Sequence, residues 1–193
     1  MFVSDEDLMV KCGKGDMSAF ELLVRRYQAP LINYIHRSID DYQRAEDLSQ
    51  ETFLRVFKSA NRYEPTASFK SWLYTIATNL CRNEIRNRTR RNTYFFEDLV
   101  EEGEDVNYAD IMRDTRYLPD LLLEKKEQRQ IIRKALAQLP ENQRVALTLV
   151  TYQDLRYEEV AKILGCSVGA VKALIHRARQ KMRKLLIKAG IAE

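Results

Sequence analysis

Two stretches of this chain carry side chains suited to binding nucleic acid. In the first, 63–91, aromatic rings precede a track of arginines and asparagines. Arg82 and Arg86 are four residues apart and share one face of a helix. Rings stack on unpaired bases, guanidinium groups hold phosphates and amides bind base edges, so the stretch predicts a single-strand platform. Its candidate residues are Tyr63, Ser68, Lys70, Trp72, Asn79, Arg82 and Arg86.

An alternative interpretation of the same stretch keeps Phe69 and Trp72 in a core and leaves the arginines as a solvated helix end. For Trp72, core packing is as good an interpretation as base contact. The loop 63–68 and Asn79 favour contact with a base.

The second stretch, 157–179, has the pattern of a helix-turn-helix. Ala161 allows two helices to approach closely, and Gly165 can take the left-handed conformation of the turn between them. In such a motif the second helix offers its exposed N-terminal part to the major groove of DNA. An ordinary pair of helices, the second basic and amphipathic, is the alternative. The candidate groove residues are Ser167, Gly169, Lys172, Ala173, His176, Arg177 and Arg179.

The elements that must position these residues are all helices. The chain of 193 residues has only 6 Gly and 4 Pro, too few for the turns of a sandwich or barrel. Apolar residues recur at helical spacing, most clearly in the last helix. In chain order, the predicted helices run from Ser4 to about Gly13, from a capping box at Ser18 and Glu21 through Ile39, from Asp40 or Asp41 through Ala60, from Ser68 or Phe69 through Ile85, from 122 to 139, from Pro140 to about Tyr152, from Tyr157 to Leu164 and from about Ser167 to Lys188.

Charge divides the chain into three segments. Residues 1–94 carry a net charge of +3, residues 95–121 carry −7 and residues 122–193 carry +8, which together give the net +4. Two basic blocks therefore flank an acidic connector, and a basic block of this size favours a polyanion as partner. The prediction is an all-α fold of two small helical bundles, 1–94 and 122–193, joined by a flexible acidic linker, 95–121.

Composition argues against several other classes. The three cysteines, Cys12, Cys81 and Cys166, lack the spacing of a metal or redox site and are expected to be reduced. Only two histidines are present, which argues against a His-based metal or catalytic cluster. Neither a metal nor a cofactor is expected. No apolar run approaches a membrane span, and the acidic N-terminus lacks the features of a signal peptide. These features predict a cytoplasmic protein.

Four stretches together resemble one family. The helix 44–57 has the sequence RAEDLSQETFLRVF, and FKSWLYTIATN follows at 69–79. The other two are 139–144, LPENQR, and the helix-turn-helix at 157–179. In this order the stretches resemble an extracytoplasmic-function sigma factor of bacterial RNA polymerase, in the sigma-70 family. The resemblance covers nearly the whole chain.

The resemblance implies a function in transcription initiation without catalysis. Region 2, 1–94, would bind the β′ clamp helices of core RNA polymerase and hold the −10 element, with a flipped base at loop 63–68 and Asn79. Region 4, 122–193, would bind the β flap and read the −35 element. Leu174 stands where many relatives have a second basic residue, which leaves the −35 base preference open. An anti-sigma factor is a further expected partner. The implied polymerase-binding residues are Asp47, Leu48, Gln50, Glu51 and Leu54.

Two other functions compete with this interpretation. A stand-alone helix-turn-helix regulator would bind duplex DNA but needs neither the acidic docking helix nor the aromatic platform. A nuclease would need clustered carboxylates, and the acidic run 97–105 lies in the predicted linker.

Overall fold

The computed structural model describes residues 3–65, 67–98 and 120–191; side chains within 91–98 and 120–126 are left out of the account below. The described residues form α-helices, one 3₁₀ turn at Ala60–Arg62 and connecting turns, with no strand, which confirms the all-α fold class. No helix in the described ranges is long and apolar enough to cross a membrane. The helices are α1 (Asp5–Gly13), α2 (Met17–Ile39), α3 (Tyr42–Lys58), α4 (Phe69–Asp98), α5 (Asp120–Ala137), α6 (Glu141–Gln153), α7 (Tyr157–Leu164) and α8 (Val168–Lys188).

Side-chain caps fix where several helices begin. Ser4 accepts a hydrogen bond from the Asp7 backbone N–H at the start of α1, and Asp41 accepts one from Arg44 at the start of α3. The predicted capping box at Ser18 is wrong. Asp16 caps α2 instead, because its carboxylate accepts from the backbone N–H groups of Ser18 and Ala19.

Helices α1 to α4 form the first bundle. Its core includes Leu23, Tyr34, Val56, Phe69 and Leu73, all fully buried. Helix α2 continues through Pro30 without interruption and packs against α1, α3 and α4. The platform residues of α4 and the acidic face of α3 are thereby mounted on one rigid core.

A polar network closes the end of the first bundle where α2, α3 and α4 meet. The Arg44 guanidinium donates to Glu84 at 2.9 Å, and Arg88 donates to Glu84 at 3.0 Å and to Asp41 at 2.8 Å. Arg88 also donates to the backbone carbonyl of Ile39. Arg88, one of the arginines of the platform stretch, therefore braces the fold.

Helices α5 to α8 form the second bundle. The predicted apolar stripe of α8 is buried at Val171, Ile175, Ala178 and Met182, which face α6 and α7. The turn between α7 and α8 passes through Gly165 at φ 67°, the left-handed conformation that the sequence predicts. The second helix of the motif is thus held by its inner face, and its outer face is free for contact.

The two bundles pack directly against each other. Helix α6 lies on α2, and α7 lies on α4. The Tyr74 hydroxyl donates to the Gln153 side-chain oxygen at 2.5 Å in the interface, where both side chains are buried. Most of the predicted linker, 99–119, lies outside the described residues, and residues 95–98 belong to α4.

Candidate functional site

The predicted polymerase-binding residues on α3 do not all share one surface. Asp47, Gln50 and Leu54 are exposed, whereas Glu51 is half-buried and pairs with Arg55 at 2.7 Å. Leu48 is only 4% exposed and packs in the core of the first bundle. A direct contact from Leu48 to a partner is therefore inconsistent with the fold, and its part is to hold α3 in place.

An apolar groove runs between α2 and α3 beside these acidic residues. It encloses about 510 Å³. Three of its large apolar side chains are well exposed, namely Met17 at 58%, Leu54 at 45% and Phe57 at 40%. A single-chain surface rarely leaves such a cluster uncovered unless it binds something. The groove is lined by Met17, Phe20, Val24, Gln28, Ile32, Glu46, Ser49, Gln50, Phe53, Leu54 and Phe57.

The sequence did not reveal this groove. Phe57 follows the buried Phe53 by four residues, a spacing typical of one helix face and hence of a core position. Its ring instead packs on Phe20 at 5.1 Å between centroids, with its other side open.

A pocket lies in the loop between the 3₁₀ turn and α4. It encloses about 390 Å³ and is lined by Ser59, Arg62, Tyr63, Glu64, Ala67 and Trp72. The Tyr63 and Trp72 rings lie 5.1 Å apart, and both are half-buried. Trp72 therefore packs on the bundle and also forms a wall of the pocket. An aromatic pocket of this size suits a flat ring such as a base.

Asn79 and Arg86 lie on the exposed face of α4 beyond the pocket. Asn79 does not line the pocket, because it stands two helical turns, about 10 Å, after Trp72 on the same face. Lys70 is half-buried near the start of the helix. The pocket and Asn79 therefore occupy different positions along the same face of α4.

Two platform residues are already engaged by the second bundle. The Ser68 hydroxyl donates to the Glu159 carboxylate at 2.6 Å. The Arg82 guanidinium donates to Glu141 at 3.3 Å and to the Asn142 side-chain oxygen at 3.2 Å. Burial pushes the pKa of Glu159 up, but the hydrogen bonds from Ser68 and the Arg156 backbone outweigh it, so the pKa is lowered. Glu159 is therefore held as a carboxylate.

The helix-turn-helix presents its predicted groove residues outward. The Ser167 side chain caps α8 by accepting from the Ala170 backbone N–H at 3.1 Å. At Gly169 a Cβ would meet only the Ser167 hydroxyl, at 3.8 Å, so packing does not require a glycine there. All the predicted groove residues are exposed: Ser167, Gly169, Lys172, Ala173, His176, Arg177 and Arg179.

The cations on this face lack acidic partners in the described part of the chain. Neither Lys172 nor Arg177 nor Arg179 forms an ion pair there. His176 pairs with the Gln180 amide at 2.9 Å. Exposed, unpaired cations on a helix are available to phosphate oxygens and guanine edges.

The described ranges hold no candidate metal cluster, and the buried Cys81 thiol is unreactive. No group of three His, Cys, Asp or Glu residues there could hold a metal ion. All three cysteines are free, and burial raises the pKa of Cys81 to about 12, which makes its thiol unreactive at neutral pH.

An exposed cationic helix after a turn and an aromatic pocket are features suited to binding nucleic acid. The family profile Sigma-70 region 2 matches residues 23–91, and the profile Sigma-70, region 4 matches residues 129–182. The RNA polymerase sigma-H factor of Pseudomonas aeruginosa is 32% identical over 182 residues, 94% of this chain and 93% of that one. The ECF RNA polymerase sigma-E factor of Escherichia coli is 33% identical over 178 residues, 92% of each chain.

Solved structures agree with these matches. The sigma factor RpoE from Bartonella quintana, in complex with the anti-sigma factor NepR, is 25% identical, with a TM-score of 0.65, covering 86% of this chain and 96% of that one. CnrH, in complex with the cytosolic domain of CnrY, shares the fold at 24% identity, with a TM-score of 0.67, covering 95% of this chain and 97% of that one.

The chain belongs to the extracytoplasmic-function class of the sigma-70 family, and it is a sigma factor that directs transcription initiation. The resemblance drawn from the sequence is thereby confirmed. A stand-alone helix-turn-helix regulator is not favoured. Sigma factors are non-enzymatic initiation factors.

Proposed function

We propose that three surfaces of this sigma factor divide the work of initiation. The outer face of α3 with its groove binds core RNA polymerase, the pocket and α4 hold the unpaired −10 strand, and α8 reads the −35 duplex. The observation that carries the proposal is the exposed cationic face of α8, which has no acidic partner among the described residues, in a chain whose first bundle also offers an apolar groove. Residues 1–94 are then the polymerase and −10 domain, 95–121 a linker and 122–193 the −35 domain.

The polymerase-binding surface combines charge with apolar area. Asp47, Gln50 and Glu51 supply polar and acidic contacts, and Leu54 and Phe57 supply apolar ones. An amphipathic helical partner fits such a groove, with apolar side chains inside and basic ones at the rim. The clamp helices of the β′ subunit are the proposed occupant. Region 4 binds the β flap.

The −10 surface holds displaced bases after the strands separate. Tyr63 and Trp72 would stack on one flipped base in the loop pocket, and Asn79 would bind the edge of another along α4. Arg82 and Arg86 supply charge for phosphates. By analogy with base flipping, capture of each base offsets an unstacking cost of about a few kcal/mol. The polymerase carries out the chemistry, and this chain contributes no catalytic group.

The −35 surface is the outer face of α8. Lys172 and Ala173 lie early in the helix, where side chains reach base edges in the major groove, and Arg177 and Arg179 lie later. Because its proposed target is promoter DNA inside the cell, the protein is proposed to be cytoplasmic. An anti-sigma factor is the proposed regulator, in keeping with the NepR complex of the structural relative RpoE.

Reconstituted transcription tests the proposal. Purified core polymerase is incubated with a library of promoter fragments, with and without this chain, and transcripts are mapped. Start sites that depend on the chain and share −10 and −35 sequences are expected. Transcription no greater than that of core polymerase alone would overturn the proposal.

A charge reversal tests the docking surface by co-purification with core polymerase. Asp47→Lys with Glu51→Lys places two cations one turn apart on α3 and should abolish co-purification with core polymerase. The matched control, Glu127→Lys with Glu158→Lys, makes the same charge change on exposed residues elsewhere. Circular dichroism checks that both variants fold. Equal yields of core polymerase from both would contradict the assignment of this face.

A further inference from the structure

Helix α1 contacts both ends of the loop that forms the aromatic pocket. This loop, 63–68, joins the 3₁₀ turn Ala60–Arg62 to α4, which begins at Phe69. None of the contacts proposed above assigns a role to α1. The helix nevertheless packs against the 3₁₀ turn and the start of α4 as well as against α2. One helix of nine residues is therefore in contact with the two points between which the pocket loop is stretched.

At the end of the loop, a side chain of α1 fixes where α4 begins. The Glu6 carboxylate accepts a hydrogen bond from the Phe69 backbone N–H at 2.7 Å. The first N–H groups of a helix have no acceptor within the helix, and the helix dipole favours a negative charge there. Trp72, a wall of the pocket, follows one turn later, with its backbone N–H bonded to the Ser68 carbonyl. The bond from Glu6 thus sets the position of that wall.

At the start of the loop, the backbone of α1 lies directly on the 3₁₀ turn. A Cβ atom at Gly13 would lie 2.4 Å from the Ala60 carbonyl oxygen and 3.0 Å from its carbonyl carbon. Because the obstacle is backbone and not a flexible side chain, any larger residue must push the turn away. Ser59, Arg62 and Tyr63, which line the pocket, lie within or next to this turn. The close approach at Gly13 therefore sets the position of the opposite wall.

Tyr63 has no hydrogen bond of its own to hold it in this wall. Its hydroxyl is buried without a partner among the described residues. Burial, together with the nearby charges of Glu6 and Asp5, raises the pKa of Tyr63 to about 12, so the phenol stays neutral. Its ring packs 5.1 Å from Trp72 and 6.4 Å from Phe69, between centroids. The place of the ring therefore depends on its neighbours, which are α1 and the residue that Glu6 holds.

We propose that α1 is the positioning element of the base pocket, in which Glu6 and Gly13 fix the spacing between the 3₁₀ turn and the start of α4 and thereby determine which unpaired base fits. This role rests on the function proposed above for the pocket. Neither residue touches the base, and both act through Tyr63 and Trp72. A binding site must be held within about 0.5 Å of its productive geometry to discriminate. A shift of the turn or of the helix start by more than that relaxes the choice of base.

Four variants of the full chain test the two contacts. Glu6→Ala removes the acceptor of the Phe69 N–H, whereas Glu6→Gln keeps an acceptor oxygen and should behave as wild type. Asp7→Ala is the matched control, because it removes an exposed carboxylate from the same first turn of α1 that bonds to Ser4 instead. Gly13→Ala acts at the other end of the loop and changes no charge.

The first measurement uses the free protein. Trp72 is the single tryptophan of the chain and is half-buried, so its emission reports on the pocket wall alone. Quenching by acrylamide measures how accessible its ring is to small solutes. Glu6→Ala and Gly13→Ala are expected to show stronger quenching and an emission maximum shifted to longer wavelength. Glu6→Gln and Asp7→Ala are expected to match wild type in both.

The second measurement is transcription by core polymerase with each variant from promoters randomised across the −10 element. A well-placed contact to a base discriminates about five- to a hundredfold against the wrong one. In Glu6→Ala and Gly13→Ala the preference at one −10 position should fall about fivefold or more, with the −35 preference unchanged because α8 is untouched. A purely structural role would instead lower transcription from all promoters alike and leave the base preference intact.

Three results would overturn the positioning role of α1. The first is wild-type quenching of Trp72 in Glu6→Ala, and the second is a wild-type −10 preference in a variant whose Trp72 has become more accessible. The third is failure of Glu6→Gln to restore both properties, because the acceptor oxygen would then not be what matters.

A further variant, Tyr63→Ala, separates this role from the function of the pocket. It removes a wall of the pocket itself. If it keeps the wild-type −10 preference, the pocket does not choose a base, and the proposed function of the pocket fails together with base selection by α1. The quenching comparison still decides whether α1 positions the pocket, because it needs neither polymerase nor promoter.

Discussion

Two leucines on α3 show how burial decides what a single side chain does. Leu48 and Leu54 are six residues apart, so their side chains point about 120° apart around the helix axis. Leu48 is 4% exposed and belongs to the core, whereas Leu54 is 45% exposed at the rim of the groove. Residue type alone could not separate these roles, because both positions sit beside acidic residues in the same motif.

Lys172 and Arg177 are expected to act differently on the −35 element. Both are exposed on α8 without an ion pair in the described ranges. Lys172 lies in the second turn, near the base edges, where a good contact discriminates by roughly 1–3 kcal/mol. Arg177 lies further along, where the helix leaves the groove floor, and is expected to hold a phosphate. Transcription from promoters with randomised −35 sequences should show relaxed preference at one or two positions for Lys172→Ala only.

Salt titration of duplex binding completes the comparison. Arg177→Ala should weaken all sequences about equally and reduce the salt slope by about one counterion. Lys162→Ala, an exposed lysine on the preceding helix α7, serves as the control for loss of one positive charge. If both α8 variants keep the wild-type base preference and salt slope, α8 does not read the promoter.

At the scale of elements, α4 carries a buried face and a functional face along its length. Tyr74, Thr78 and Cys81 lie inward, and Asn79 and Arg86 lie outward. The outward face begins at the aromatic pocket, so a strand that enters the pocket can continue along the helix.

Asn79→Ala is therefore expected to impair strand opening more than initial promoter binding. The variant loses an amide that would bind an unpaired base, and no core contact changes because Asn79 is exposed. Permanganate footprinting of the polymerase complex should show fewer reactive thymines near the start site, with filter binding to the duplex nearly unchanged. Asn87→Ala, two turns further along the same helix, is the matched control. Wild-type permanganate reactivity in Asn79→Ala would rule out this contact.

The network at the meeting point of α2, α3 and α4 predicts a pH dependence of stability. Burial pushes the pKa of Glu84 up, but the hydrogen bonds and charges of Arg44 and Arg88 outweigh it, and the pKa is lowered. A lowered folded pKa contributes stability above the ordinary carboxylate value of about 4. That stability is lost as the pH falls through the folded value.

Thermal unfolding between pH 7 and pH 3 measures this contribution. Glu84→Gln should lower the melting temperature at pH 7. The difference in melting temperature between this variant and wild type should shrink as the pH falls. Glu64→Gln, an exposed carboxylate on the loop, should leave the whole curve close to wild type. A constant difference in melting temperature between Glu84→Gln and wild type from pH 7 to pH 3 would show that the ion pairs of Glu84 contribute nothing to stability.

The helices were predictable because each depends on neighbours in the sequence. Tyr157–Leu164 and the left-handed turn at Gly165 follow from local periodicity and from glycine chemistry, and the structure has both. The start of α2 was placed wrongly because Ser18 and Asp16 both fit the cap pattern, and only the backbone geometry decides between them. Exposure of the α8 residues also followed from periodicity, since the opposite face is the apolar stripe.

At the scale of the whole molecule, the contact between the bundles was not predictable. The sequence indicated two bundles separated by an acidic connector, and nothing in its periodicity links Tyr74 to Gln153 or Ser68 to Glu159. Such pairs join residues far apart in the chain, and each partner alone reads as an ordinary surface or core residue. The buried side chains form one hydrophobic core across both bundles. Arg82, which the sequence assigned to a DNA-binding track, is bonded to Glu141 and Asn142 of the second bundle.

Two tyrosine variants separate this contact from ordinary core stability. Tyr74→Phe leaves the buried Gln153 oxygen without its donor, which should cost about 1–3 kcal/mol of unfolding free energy. Tyr34→Phe removes a hydroxyl paired with Thr78 inside the first bundle, where Thr78 keeps its bond to the Tyr74 carbonyl. Its cost should be smaller, about 0.5–1.5 kcal/mol. Urea unfolding measures both losses.

The size of the folded protein distinguishes where each loss falls. Only Tyr74→Phe weakens a bond between the bundles, so only that variant should show a larger radius of gyration without denaturant. Tyr34→Phe should remain as compact as wild type, because its lost bond lies within the first bundle. Equal compactness of the two variants, with Tyr74→Phe as destabilised as expected, would mean that the remaining contacts between α2, α4, α6 and α7 hold the bundles together without this hydrogen bond.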